Sequence, residues 1–409
     1  MATPRDSIGH RSETVRRANL SAIVRELHVH GPLSRSDLVT RTGLTRSGIR
    51  ALIGELVSAG LVDERPSLPA GMPGRPSPMV RPMADRAIVL ALEVNIDSLA
   101  MAVVGYGGAV QRIQRVDRPR THVTVEEIVD DLVDLVRPIL GTLRHGGALL
   151  GIGVAVAGTV RRTDGVVRQA PNLGWREVPL GERLRTALDL DVPLWVANEA
   201  DLGGLAEHRR GAAVGVDDVV YVMGEVGVGG NLIVHGKPLV GAAGYGGEVG
   251  HMPLNPSGSA CGCGSSGCWE TEVGERAMLV RAGRPADGGR EAVSELIEAA
   301  RTGDAQARDA LAHVASWLGI GLAALVNVFN PRLVVLGGTF ERIHPIMGPS
   351  IEEAMRRRAL PPSAELVRVV PGTLGADAPL LGAAELAFET LLADPAARLG
   401  PRTQVLATA

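Results

Sequence analysis

Cys261, Cys263 and Cys268 stand within one short stretch, and His251 precedes them by 10, 12 and 17 residues. One imidazole and three thiols are four soft or borderline donors, the number that a closed tetrahedral zinc site takes. Gly262, Gly264 and Gly267 let the backbone fold the thiolates inward around one ion. Four protein ligands leave no position open to activate water, so a zinc ion held here is structural. The alternatives are free thiols in a glycine-rich loop, or one disulfide with a spare thiol. An odd, tight cluster fits a metal better than a disulfide framework. Glu248 and Glu270 flank the cluster as loop carboxylates.

A second set of candidates lies near the N-terminus. Residues 1–80 carry eleven Arg against seven Asp or Glu, about +4, while the whole chain has a net charge of −3. A basic front on an acidic body implies a polyanion partner for the front alone. With only 2% aromatics, stacking on single-stranded bases is disfavoured. Thr45, Arg46, Ser47 and Arg50 open a segment whose inner face is Ile49, Leu52, Ile53 and Leu56. That places the two arginines outward at the start of a helix, where major-groove readers carry their contacts. Arg75, in Gly74-Arg75-Pro76, is suited to a minor groove. The alternative is a plain three-helix bundle that binds nothing, or binds protein.

Several elements must position these groups. Leu20, Ile23, Val24 and Leu27 repeat with helical spacing, and Gly31-Pro32 ends that helix. Ser34 to Asp37 reads as a capping box, Thr42-Gly43-Leu44 as a turn, and Leu61–Glu64 as the first strand of a wing. The expected front is therefore a winged helix-turn-helix over 1–82, with a stiff proline-rich linker over 66–83. Beyond it, strand and helix signals alternate in an α/β pattern long enough for two units. No apolar run long enough to span a bilayer and no secretion signal are read, so a cytoplasmic protein without membrane contact is expected.

The cysteine segment, with Gly247-Glu248-Val249-Gly250-His251, resembles the signature of the ROK family of repressors, open reading frames and kinases. The resemblance extends to Pro171-Asn172-Leu173-Gly174-Trp175, Asn198-Glu199-Ala200-Asp201, and Asn330-Pro331 leading to Gly337-Gly338. It covers nearly the whole chain, the front matching the winged-helix repressors of the family. The fold it implies is an actin-like (ribonuclease H-like), two-lobed sugar kinase, with lobes over 83–197 and 198–393. The last helix is expected to pack back on the first lobe, and 394–409 to be a disordered tail. The resemblance assigns sugar-hydroxyl contacts to Asn198, Glu248, His251 and Glu270, and places Asn172 in the same cleft.

The departures from the family's kinases concern phosphate. Where those kinases have a glycine-rich Asp-x-Gly-Gly-Thr loop, this chain has Glu93-Val94-Asn95-Ile96-Asp97, and Glu225 stands in the second phosphate loop. Side chains replace the close backbone approach, and carboxylates face the phosphates. Glu199 replaces the aspartate that would serve as base, so it is expected to bind sugar rather than catalyse. The reading is a sugar-controlled DNA-binding repressor without kinase activity, acting on a double-stranded operator as a homodimer or homotetramer and released by sugar. The alternatives are an active ATP-dependent sugar kinase, and an interaction protein that answers to a protein partner.

Overall fold

The computed structural model describes residues 4–66, 77–120, 124–146 and 148–398. The front starts with helix α1 (Pro4–His30), which stops where Gly31 takes φ 72°. Strand β1 (Leu33–Ser34) leads to α2 (Arg35–Thr42), opened by a Ser34–Asp37 capping box and closed by left-handed Gly43. Helix α3 (Arg46–Ser58) is capped by Thr45, whose Oγ1 accepts from the Gly48 N–H at 3.1 Å. Strands β2 (Val62–Arg65) and β3 (Met79–Pro82) complete an antiparallel sheet of order β1-β3-β2. Leu20, Ile23, Leu38, Ile49 and Ile53 form the core between them, each fully buried.

One expectation fails here. The proline-rich linker read over 66–83 ends earlier, because Met79–Pro82 is a strand paired with Val62–Arg65 and Val80 is fully buried. Pro78 and Pro82 obscured a short alternation. Each sits where no ladder N–H is demanded, at a strand's start or end.

The first lobe contains β4 (Ala87–Val94), β5 (Ser98–Gly105), β6 (Ala109–Asp117), α4 (Val125–Gly146) and β7 (Ala148–Val156). A small antiparallel sheet follows: β8 (Thr159–Arg161), β9 (Val166–Ala170) and β10 (Trp175–Val178). Then come α5 (Leu180–Leu188) and β11 (Leu194–Asn198), which closes the main sheet in the order β11-β7-β4-β5-β6. Strands β4 and β5 are buried at every position, the continuous apolar run of a sheet covered on both faces.

Helix α6 (Glu199–Arg210) connects to the second lobe. That lobe holds β12 (Val219–Gly224), β13 (Val228–Val234), β14 (Lys237–Pro238), α7 (Glu270–Val273), α8 (Glu275–Arg281), α9 (Gly289–Thr302) and α10 (Ala305–Phe329). After them come β15 (Leu333–Gly338), α11 (Thr339–Arg356), α12 (Pro361–Leu366) and β16 (Arg368–Pro371). Its sheet runs β14-β13-β12-β15-β16, which is the first lobe's strand order over again: a three-strand antiparallel meander, extended by two parallel strands from its first member. Helix α10 is long and apolar enough to cross a membrane by composition, contrary to the reading of the sequence. It packs against α9 and α11 as the central helix of this lobe.

Helix α13 (Ala378–Ala393) then returns to the first lobe and packs on β4, β7 and α6. The crossing is so close that a Cβ at Gly382 would lie 1.9 Å from the Leu202 carbonyl oxygen. The stretch from 394 is ordered at its start. Asp394 accepts from Arg17 at 3.3 Å and α14 (Pro395–Arg398) sets Ala396 on the core, whereas 399–409 lie outside the described residues.

Candidate functional site

The four candidate metal ligands come together. The donor atoms of His251, Cys261, Cys263 and Cys268 lie within 4.8 Å of one another. The Cys263 and Cys268 sulfurs are 3.7 Å apart, far beyond the ~2.05 Å of a disulfide. The loop is anchored from both sides. Gly267, at φ 68°, presses so near Asn255 that a Cβ would sit 1.7 Å from its carbonyl oxygen. Trp269 is fully buried, donates from Nε1 to the Trp317 carbonyl at 2.9 Å, and lies flat on Gly321, where any side chain would collide. Burial foremost, with Glu270 adding, pushes the Cys261 thiol up. A bound cation reverses that logic by favouring the thiolate.

Beside the cluster, between the lobes, opens a cleft of about 660 Å3 whose lining includes Asn172, Asn198, Glu199, Glu248, His251 and Glu270. Glu270 accepts from the Cys261 thiol at 2.8 Å and lies 3.6 Å from His251 Nδ1, so it joins cleft to cluster. Glu248 accepts from the Thr159 hydroxyl at 3.1 Å. Asn198 is largely committed elsewhere. Its Oδ1 accepts from the Ala200 and Asp201 N–H groups as the cap of α6, and its Nδ2 donates to the Gly158 carbonyl. One amide hydrogen is left for a ligand. Asn172 is exposed on the turn before β10.

Glu199 opens α6 and borders a second, small cavity as well. Its Oε2 has no hydrogen-bond partner and its carboxyl is pushed up to about 8, by burial first and then by Glu225, Glu93 and Asp97. Burial likewise lifts Glu225 to about 7, against Arg290. This small cavity has a volume of about 110 Å3, room for about four waters. Asp97, read from sequence as an anion repelling phosphate, is instead neutralised. It accepts from Arg120 at 3.1 Å and from Arg290, on α9 of the other lobe, at 2.7 Å. Arg120 also binds Glu275 of α8, and Arg115 joins Glu93 to Asp377. These pairs tie the two lobes across the position where the phosphate loop was expected.

Sequence reading passed over Asp201, buried beside Glu248 and bonded to Asn231 Nδ2 at 3.1 Å. Burial pushes it up to about 6. Its place directly after Asn198-Glu199-Ala200 was the available signal. It also passed over the arginine pairs, whose partners are up to 262 residues apart.

In the front, Thr45, Arg46, Ser47 and Arg50 are all exposed at the start of α3, and Arg75 lies outside the described residues. Thr45 is occupied as the helix cap. Arg16, Arg35, Arg41 and Arg65 each pair with a carboxylate, whereas Arg46 and Arg50 have no ionic partner among the described residues.

The front is bolted to the body where α6 ends. Arg209 and Arg210 bind Glu385 of α13, and Arg210 also donates to the His28 carbonyl of α1 at 3.0 Å. Burial opposes ionisation of Glu385, yet His28 first, then Arg210 and Arg209, hold its carboxyl well below the usual range. Burial pushes the His28 imidazole down, against Glu385; its Nδ1 accepts from the Gly107 N–H. Tyr106, fully buried, donates to the Val24 carbonyl at 2.9 Å.

The model of the ROK family matches residues 89–390. The chain is similar to the xylose repressor of Bacillus spizizenii, 27% identical over 92% of this chain and 97% of that protein. It is similar to the glucokinase of Streptomyces coelicolor, 30% identical over 74% of this chain and 98% of the enzyme. Among solved structures, a ROK family transcriptional regulator described as a homolog of the Escherichia coli Mlc protein superposes with a TM-score of 0.75. That match has 26% identity and covers 93% of this chain and 97% of the other. The repressor-type matches include the front; the glucokinase covers about three quarters of the chain.

Proposed function

The chain belongs to the ROK family, and we propose that it is a DNA-binding transcriptional repressor whose hold on an operator is set by a sugar bound in a kinase-like domain that no longer transfers phosphate. The observation that carries this reading is a single helix. Asn198 and Glu199 begin α6 in the polar cleft, and Arg209 and Arg210 end it against α1 of the front. A 12-residue helix is about 18 Å of stiff rod. A shift at the cleft end therefore reaches the front without any intervening loop.

In this reading the front is a winged helix-turn-helix, with α3 as its recognition helix and the hairpin of β2 and β3 as its wing. Arg46 and Arg50 meet base edges or phosphates, Ser47 assists, Thr45 holds the helix start, and Arg75 reaches the minor groove. The body is an actin-like pair of lobes, supported by the repeated strand order. Glu199, Glu248, His251 and Glu270 take sugar hydroxyls, with Asn172 and the free amide hydrogen of Asn198 at the edge. His251, Cys261, Cys263 and Cys268 hold one structural zinc ion, which neutralises the thiolates and fixes the loop carrying Glu270. Two copies related by a two-fold axis match a pseudo-palindromic operator. Sugar acts by its difference in affinity for two arrangements of the front, and weakens DNA binding.

Loss of phosphoryl transfer is supported by the cavity of about 110 Å3 and the ion pairs that fill the phosphate position. The test is selection of duplexes from a random pool by the purified full-length protein, followed by binding of the selected site with and without monosaccharides. Site-specific binding that a sugar weakens is the expected result. Failure to enrich any sequence would sink the proposal. A kinase is the second reading, favoured by the likeness to the glucokinase and by the raised carboxyl of Glu199, which is suited to proton transfer. It requires sugar-dependent ADP release that Glu199→Gln abolishes.

A further inference from the structure

The cleft holds more than one sugar ring. Its volume is about 660 Å3, whereas a hexose displaces roughly the volume of six waters, about 180 Å3. The excess does not come from parted lobes. Asp97–Arg290 and Arg120–Glu275 already tie one lobe to the other. The cleft has this size with the lobes joined.

Beyond Glu270 the wall continues along α8, which runs for about 10 Å. This helix turns Arg276, Ala277, Val280 and Arg281 to the cleft, the spacing of one helical face, and His313 of α10 adds an imidazole. Val280 is 55% exposed. Arg276 has no ionic partner among the described residues, and the carboxylate of Asp309 lies 3.8 Å from Arg281. An apolar spot framed by hydrogen-bond donors matches a pyranose, which offers a C–H face and a rim of hydroxyl acceptors. An anionic ligand fits less well, because Glu248, Glu270 and Glu272 line the same cleft.

We propose that the cleft has two sugar subsites and that the effector is a glycoside of at least two rings. One ring lies by Glu248, His251 and Glu270, and the next lies over Val280 between Arg276 and Arg281. This rests on the reading of the inner end as a sugar site. A second ring adds donors and buried C–H surface, so a disaccharide binds more tightly than its constituent monosaccharide by about tenfold or more.

The test is calorimetric titration of the full-length protein with glucose, xylose, maltose, cellobiose, xylobiose and glucose 6-phosphate. It is repeated on the double variant Arg276→Ala, Val280→Ser, whose sites are exposed. At least one disaccharide is expected to exceed its monosaccharide by the stated factor. The double variant is expected to bring the two within about threefold while monosaccharide affinity holds. Equal or tighter binding of a monosaccharide, or preference for the phosphate, overturns the two-subsite proposal and leaves the sugar reading standing. An equal loss for both sugars in the variant does the same. Binding of none of the six overturns both.

Discussion

Glu199 lines two cavities at once, and its carboxyl is raised by burial and by three neighbouring carboxylates. Its folded value of about 8 stands above the ordinary 4.5. A carboxyl raised in this way stabilises the fold fully below its unfolded value and loses that contribution as pH climbs through the folded value. The wild-type chain is therefore expected to lose stability between about pH 4.5 and 8 from this group. Glu199→Gln, which cannot ionise, should match it at pH 5 and melt about 2 °C or more higher at pH 9, by thermal unfolding followed with circular dichroism. At the cysteine cluster, elemental analysis should find one zinc per chain, and Cys268→Ser should lose the metal and at least about tenfold in sugar affinity. The donor types and spacing made this cluster legible in the sequence, because ligation is written in residue identity. The role of Asn198 was not. A side chain read as a ligand contact is spent mainly on capping α6, and nothing local separates an amide that caps from one that binds.

At the level of elements, the proposed function has its two ends on α3 and α6. If Arg46 and Arg50 contact phosphates, replacing both by alanine should weaken DNA binding and reduce the salt slope of log K by about 2, measured by fluorescence anisotropy across salt concentrations. An unchanged slope would remove them from the interface. For α6, Arg210→Met cuts a link to α1 while leaving the cleft untouched. Sugar affinity should stay within about twofold, while the effect of sugar on DNA affinity, typically about 5- to 150-fold in coupled systems, falls towards unity. Caps and helical periodicity announced the three front helices, and Ser34, Gly43 and Thr45 do the work those residue types predict. Strand β3 was hidden because its evidence is a partner strand 17 residues away in sequence, while its own prolines argue for a linker.

Across the whole molecule, two lobes with one strand order are held by ion pairs, and one of them uses Asp97, read from the sequence as an anion facing phosphate. Asp97 looked like a lone anion because Arg290 is far along the chain and only the closed topology brings it near. Asp97→Ala frees Arg290 and half of Arg120. Hydrogen exchange is expected to rise in residues 95–98 and 289–293, and sugar affinity to fall by about tenfold as the lobes part more often. The alternation of strands and helices gave the α/β class, but the duplicated sheet order lies in pairings that no single segment contains. The return of α13 has a further consequence for how the protein is made. The first helix rests on the last long one, with Ser21 donating to the Leu392 carbonyl and Arg25 paired with Glu389. On the ribosome the front emerges hundreds of residues before its seat exists, so under the proposed function a nascent or prematurely terminated chain ending before residue 378 would carry a reader of DNA with no brake attached. Such fragments should occupy the operator whatever the sugar supply, and a cell making them would behave as if its inducer were permanently missing.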